Sequence, residues 1–194
     1  PLFDAVLKQS PDNPRALLGQ SRCLRRMGKL MEAQAQLEKL LAKHPRHVEG
    51  LTERAGIDLF NGKFESAEPL LRKAVELQPH NFQANYHLVI CLRRLGRAKE
   101  TAQATRRMHQ IRVDITRFVD LEKSVLEKPG DPAPRCEAGV LLLGLGEQRD
   151  GVRWLTSALR VDPRHRPAHK ALAEHYERIG KKDLAEKHHR LARE

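Results

Sequence analysis

Apolar side chains return every three or four positions along almost the whole chain. Leu17, Leu24 and Met27 do so in one segment, and Leu30, Ala33, Leu37 and Leu40 in the next. That is the period of an α-helix with one face turned to a core. The pattern predicts helices over residues 1–9, 14–27, 30–43, 48–61, 64–77, 82–95, 98–111, 114–127, 132–145, 148–161, 166–179 and 182–193. The chain is therefore expected to be all-α, without strands.

The breaks between these segments repeat. The interval from Pro11 to Pro45 equals that from Pro45 to Pro79, and Pro129 to Pro163 spans the same interval again. Gly28, Gly62 and Gly146 each lie half an interval before such a proline, and Gly96 and Gly180 hold the same place in units that lack one. A glycine there suits the left-handed residue that ends one helix and turns the chain into the next. Proline cannot continue the hydrogen-bond ladder, so it stops the second helix. Small residues follow most of the glycines by five places: Ala33, Ala67, Thr101, Gly151 and Ala185. They let the paired helices approach closely.

This unit of helix, glycine turn, helix and proline stop resembles the tetratricopeptide repeat, whose unit of about 34 residues has the same interval. The resemblance covers nearly the whole chain. It implies a right-handed superhelical solenoid of antiparallel helix pairs, with a concave groove lined by the first helix of each pair. The sequence departs from the family at the large aromatic positions. Leu17, Leu51, Asn85, Arg135 and His169 stand where the family often has Trp. Leu24, Asp58, Leu92, Leu142 and Tyr176 stand where it prefers Tyr. Leucine fills most of the same volume, so the fold is expected to survive.

The resemblance also implies which positions face the groove. They give Arg22, Arg25 and Arg26 from the first full repeat, Leu59 and Phe60 from the second, and Tyr86, Arg93 and Arg94 from the third. Along the groove these read cationic, apolar, cationic. That order suits an extended or helical peptide with acidic residues flanking an apolar anchor. Chaperone-binding members of the family hold a C-terminal carboxylate with Lys and Asn side chains. Leu18 and Gln83 stand at two of the Lys positions, so that clamp is not expected here. Near the C-terminal end the same positions hold Cys136, Val140 and Leu143, an apolar face that would take a helix or a second copy.

One stretch is irregular. Pro79 to Pro129 exceeds the common interval by about half, and neither Gly nor Pro occurs from Arg97 to Lys128. Apolar or small positions continue in phase from Ala98 through Met108, Ile111, Ile115 and Phe118 to Leu121 and Val125. This favours one helix of about 30 residues, ~45 Å long, over a break with Asp114 as N-cap. The expected organisation is a module over 1–97, a long or kinked linking helix over 98–128, and a second module over 129–194 that ends in a charged capping helix. Helix 1–9 reads as the second helix of a truncated repeat.

Charge adds a bias toward acidic partners. Lys and Arg number 36 against 25 Asp and Glu, for a net charge of +11. Nucleic acid is disfavoured: single-strand binders need aromatic platforms, aromatic content is 4%, and only Tyr86 is placed as one. The periodic base-reading pairs of helical-repeat RNA readers are not visible either. Three cysteines with no Cys-x-x-Cys argue against a disulfide scaffold and against zinc, redox or haem sites. Cys23 and Cys91 share a slot that faces a packed helix and are expected as small buried thiols.

The ten histidines include His165 and His169 at i, i+4 and the adjacent pair His188 and His189. No convergent ligand set is apparent, so they are expected as solvated loop residues without a metal. The sequence has no Gly-x-Ser-x-Gly, phosphate loop or dinucleotide fingerprint, which points to a non-enzyme without a cofactor. No apolar run approaches the ~20 residues of a spanning helix. A soluble protein is expected, with the cytoplasm favoured. No signal peptide is visible, and a chain opening on Pro1 reads as cut from a longer one, so targeting information can lie upstream. The expected function is a non-catalytic scaffold or adaptor that binds a peptide or partner protein. A structural or self-associating module is the alternative, and an RNA-binding repeat the third reading.

Overall fold

A computed structural model describes residues 2–194. They form eleven helices and no strand: α1 (Leu2–Gln9), α2 (Pro14–Arg26), α3 (Leu30–Lys43), α4 (Val48–Phe60), α5 (Phe64–Leu77), α6 (Phe82–Arg94), α7 (Ala98–Glu127), α8 (Ala133–Gly144), α9 (Gln148–Val161), α10 (Arg166–Arg178) and α11 (Lys182–Arg193). Pro1 lies outside the described residues. The pairs α2/α3, α4/α5, α8/α9 and α10/α11 pack tightly, and the pattern is that of a helical-repeat solenoid.

The turns explain the spacing. Gly28, Gly62, Gly96, Gly146 and Gly180 all have φ between 71° and 85°. After each, the next amide reaches back to close the first helix: Lys29 to Leu24, Lys63 to Asp58, Arg97 to Leu92, Glu147 to Leu142 and Lys181 to Tyr176. This is the Schellman ending, which needs a left-handed residue at the glycine position. The residue before each glycine already leaves the helix, so most first helices end one residue earlier than the periodicity predicts. At the other end of three pairs, the last residue of the proline loop is the N-cap. Asn13 Oδ1 accepts from Ala16 N–H at 3.1 Å, Asn81 Oδ1 from Ala84 at 2.9 Å, and His47 Nδ1 from Gly50 at 3.1 Å.

Paired helices meet at small side chains. The slots Ala33, Ala67, Gly151 and Ala185 are buried, and so are Ser21, Ala55, Gly139 and Ala173 on the partner helices. The α8/α9 pair is closest: a Cβ on Gly139 would lie 2.9 Å from the Gly151 carbonyl oxygen and 2.6 Å from Leu155. Around these contacts sit fully buried leucines such as Leu17, Leu37, Leu71 and Leu155. Each contributes about 1.5–3 kcal/mol relative to exposure.

The chain divides into two compact units, Pro1–Ile111 and Arg112–Glu194. The division falls inside α7. Ala104 of α7 packs against the core of the first unit. In the second unit Phe118 meets Trp154 edge-on, with ring centroids 5.8 Å apart. Arg117 pairs with Glu137. Arg117 stands one full repeat interval before Gly151, in the slot that is small in the complete pairs. At that position α7 runs on unbroken.

At the aromatic positions, volume filling by leucine is only part of the account. Asn85 Nδ2 donates to Pro79 O at 2.9 Å, and His169 Nε2 donates to Pro163 O at 3.0 Å, the same loop carbonyl in two repeats. Arg135 Nη1 donates to Asp131 O at 3.0 Å. Asp58 is buried and pairs with Arg54. Asn85, Arg135 and His169 hold the turn by hydrogen bonds where an aromatic would hold it by packing.

Gly139→Ala is expected to force α8 and α9 apart and lower stability by about 1–3 kcal/mol. Gly144, which has nothing within 4 Å of a Cβ, is the control. Gly144→Ala should leave the melting temperature unchanged or slightly raised. Thermal unfolding followed by circular dichroism checks both.

Candidate peptide-binding groove

The candidate residues lie on α2, α4 and α6, all in the first unit. Arg25, Arg26 and Phe60 come together around one pocket of about 490 Å³, lined also by Gly28, Leu30, Gly56 and Ile57. Its walls are mainly apolar, and both arginines sit in the last turn of α2, where cations oppose the helix dipole favourably. Phe60 is 78% exposed. Gly56 is small for a reason: a Cβ there would come within 3.2 Å of the His87 ring. His87 accepts from Gln83 Nε2 at 2.7 Å. Burial pushes its imidazole below the usual value, although a backbone bond to Thr52 and the charge of Glu53 pull the other way.

The other candidates separate into three kinds. Arg22 and Arg25 are held by Glu53 of α4, at 2.7 Å and 3.4 Å. Glu53 is mostly buried, so this pair is a fixed part of the groove wall. Arg26, Arg93 and Arg94 are exposed and have no ion-pair partner among the described residues. Leu59 is half-buried and turned to the core. Tyr86 is 43% exposed and lies parallel to Phe82, with ring centroids 6.3 Å apart.

The sequence reading missed Glu53 and His87. Both lie between groove positions, and only the contact between α2, α4 and α6 shows their role. In the second unit Cys136 and Leu143 belong to the core, and Val140 alone is well exposed. Cys136 and Leu143 pack with Leu155 and Ala158 of α9 and Ala168 and Leu172 of α10.

The cysteine expectation divides. Cys91 is buried, and its thiol donates to Phe64 O at 3.2 Å. Burial pushes Cys91 and Cys136 up to about 11, which makes both poor nucleophiles. Cys23 is exposed. The histidines also differ from solvated loop residues: His47 is an N-cap, and His169 and His175 are buried. Among the described residues no three His, Cys, Asp or Glu side chains converge as a metal site. No helix among them is long and apolar enough to cross a membrane.

Antiparallel helix pairs of one length, closed by left-handed glycines, define a helical-repeat protein. Sequence profiles described as tetratricopeptide repeat match residues 1–54 and 52–109, and the chain belongs to the tetratricopeptide repeat family. Repeats of this family are generally non-catalytic interaction modules, and in that general sense the chain is a protein-interaction scaffold. No curated protein matches it in sequence. Among solved structures it is similar to YrrB, described as a tetratricopeptide repeat protein with an unusual peptide-binding site. The two are 16% identical over 98% of this chain and 90% of that one, with a TM-score of 0.50. MamA from Desulfovibrio magneticus RS-1 is 18% identical over 92% of each chain, with a TM-score of 0.46.

Cys23 should react with iodoacetamide in the native protein, while Cys91 and Cys136 stay unmodified until the chain is unfolded. Peptide mass spectrometry of native and denatured samples reads this directly.

Proposed function

We propose that the first unit binds a segment of a partner protein that carries an apolar anchor with acidic residues beside it. The anchor enters the pocket between α2 and α4. The acidic residues meet Arg26 on one side and Arg93 and Arg94 on the other. The observation that carries this reading is the pocket itself: apolar walls, a glycine floor, and two arginines at the rim. Charge supports it, since residues 1–111 hold 19 Lys and Arg against 11 Asp and Glu. Arg22 and Arg25 contribute less than the other cations, because Glu53 already occupies them. The anchor supplies most of the affinity, and the free arginines steer and orient the segment. The module acts without catalysis and without a cofactor.

The test uses short peptides with one Leu, Ile or Phe between acidic residues, and a set with Lys in place of the acids. Fluorescence anisotropy at low and high salt should show binding of the acidic set only, weakened by salt. Phe60→Ala removes an exposed wall and should weaken binding about tenfold, or ~1.4 kcal/mol, without lowering the melting temperature. Arg26→Glu with Arg94→Glu should remove most of the salt dependence. Equal binding of both peptide sets, or of wild type and Phe60→Ala, would overturn the reading.

A further inference from the structure

The second unit holds a pair of histidines that the groove does not use. His169 of α10 is 4% exposed, and its Nδ1 lies 2.9 Å from Nδ1 of His188 on α11. Hydrogen-bond roles here are set by the neighbours. Pro163 O can only accept, so His169 Nε2 carries the proton that it donates at 3.0 Å. In the neutral ring Nδ1 then has only a lone pair, and His188 Nδ1 must be the donor between the two rings. Tyr176 of α10 lies against the other part of His188, with ring centroids 5.7 Å apart and planes 26° apart.

This arrangement limits how many protons the pair accepts. One proton on His188 Nε2 leaves the bond between the rings in place. A second proton, on His169 Nδ1, would set two N–H donors against each other at 2.9 Å, each on a cation. We propose that the docked pair holds at most one added proton, so that α11 is a proton-sensitive latch, released from α10 when acid charges both imidazoles.

The surroundings offer no relief. The groups acting on His188 are His169 and Tyr176 from α10 and Lys187 on its own helix. Glu177, a carboxylate of the same helix pair, is bound by His189 at 2.8 Å. Asp162, beside Pro163, lies 3.9 Å from His165 Nδ1 and accepts from Arg164 N–H. Burial first, then His169 and Lys187, hold the His188 imidazole below its ordinary 6.5. A value lowered in the docked state favours docking above the ordinary value. That preference is lost as pH falls below it, because the released form binds more protons.

The experiment is amide hydrogen exchange on the whole chain from pH 8 to pH 5, corrected for the intrinsic rate. Opening of residues 182–193 should rise on the order of tenfold per pH unit as pH falls below the ordinary imidazole value, one extra proton per opening, while α8 and α9 stay protected. His169→Asn is the key variant, because Asn85 makes the same loop bond in the equivalent slot. Its amide donates to Pro163 O, and its oxygen accepts from His188 in either charge state. The variant should stay folded and lose about one proton from the slope. His188→Gln, whose amide can donate to neutral His169 or turn and accept from the protonated ring, should flatten the slope as well. His175, buried nearby and unchanged, contributes equally to wild type and variants. Opening of α11 independent of pH in wild type, or a slope unchanged in both variants, would overturn the latch.

Discussion

The close approach of two helices at one small-residue slot per repeat is the contact on which the rest depends. It sets the distance within each pair, and the left-handed glycine sets the angle at which the second helix returns. With both in place, a leucine either side of the slot is buried without an aromatic wedge. The chain therefore does without most of the aromatic residues usual in its family. Where Arg117 takes the slot, α7 continues without a turn. Arg117 fills the position with a long cation that reaches Glu137, and no first helix packs there. The helix that would have been broken by a turn continues as α7.

The same frame distributes the charge. Surface arginines are tied into pairs across neighbouring helices. Glu68 of α5 accepts from Arg72 and Arg97, and Arg72 also reaches Glu100 of α7. Its hydrogen bond to Arg72 holds Glu100 below the usual carboxylate range. Such exposed pairs add little stability each, but they occupy cations that would otherwise be open. Arg26 at the end of α2 and Arg93 and Arg94 at the end of α6 are among the exposed cations outside such pairs, and at the α4 step between them the last turn has no basic residue. The pocket opens at that step. An apolar concavity between cationic ends is a consequence of the repeat register and of Phe60 taking a place that is Arg26 and Arg94 in the neighbouring repeats.

Much of the fold was legible because it is written locally. Glycine and proline spacing located every turn, and the helical period placed most helix ends within a position or so. The unbroken period from Ala98 to Val125 was enough to favour one helix. The compact units were less legible: nothing in the period marks Ile111 as the place where the packing partner changes. The site was legible only in part. Repeat position singled out Arg25, Arg26 and Phe60, which line one pocket, but not that Glu53 occupies Arg22 and Arg25, nor that Leu59 turns inward. Those depend on which neighbouring side chain comes within reach, which a one-dimensional pattern does not encode. Cys23 shows the limit most plainly. It shares a slot with Cys91, yet Cys91 is buried and Cys23 is exposed.

The central claim is that the pocket between α2 and α4 receives the apolar anchor of an acidic segment. Two-dimensional amide NMR of the whole chain, titrated with an acidic peptide bearing a single Leu anchor, tests it most directly. The account predicts the largest shift changes at the amides of Gly28, Gly56, Ile57 and Phe60, with smaller ones at Arg93 and Arg94. Saturable binding with those amides unmoved, and the changes confined to α3, α5 or the second unit, would contradict it.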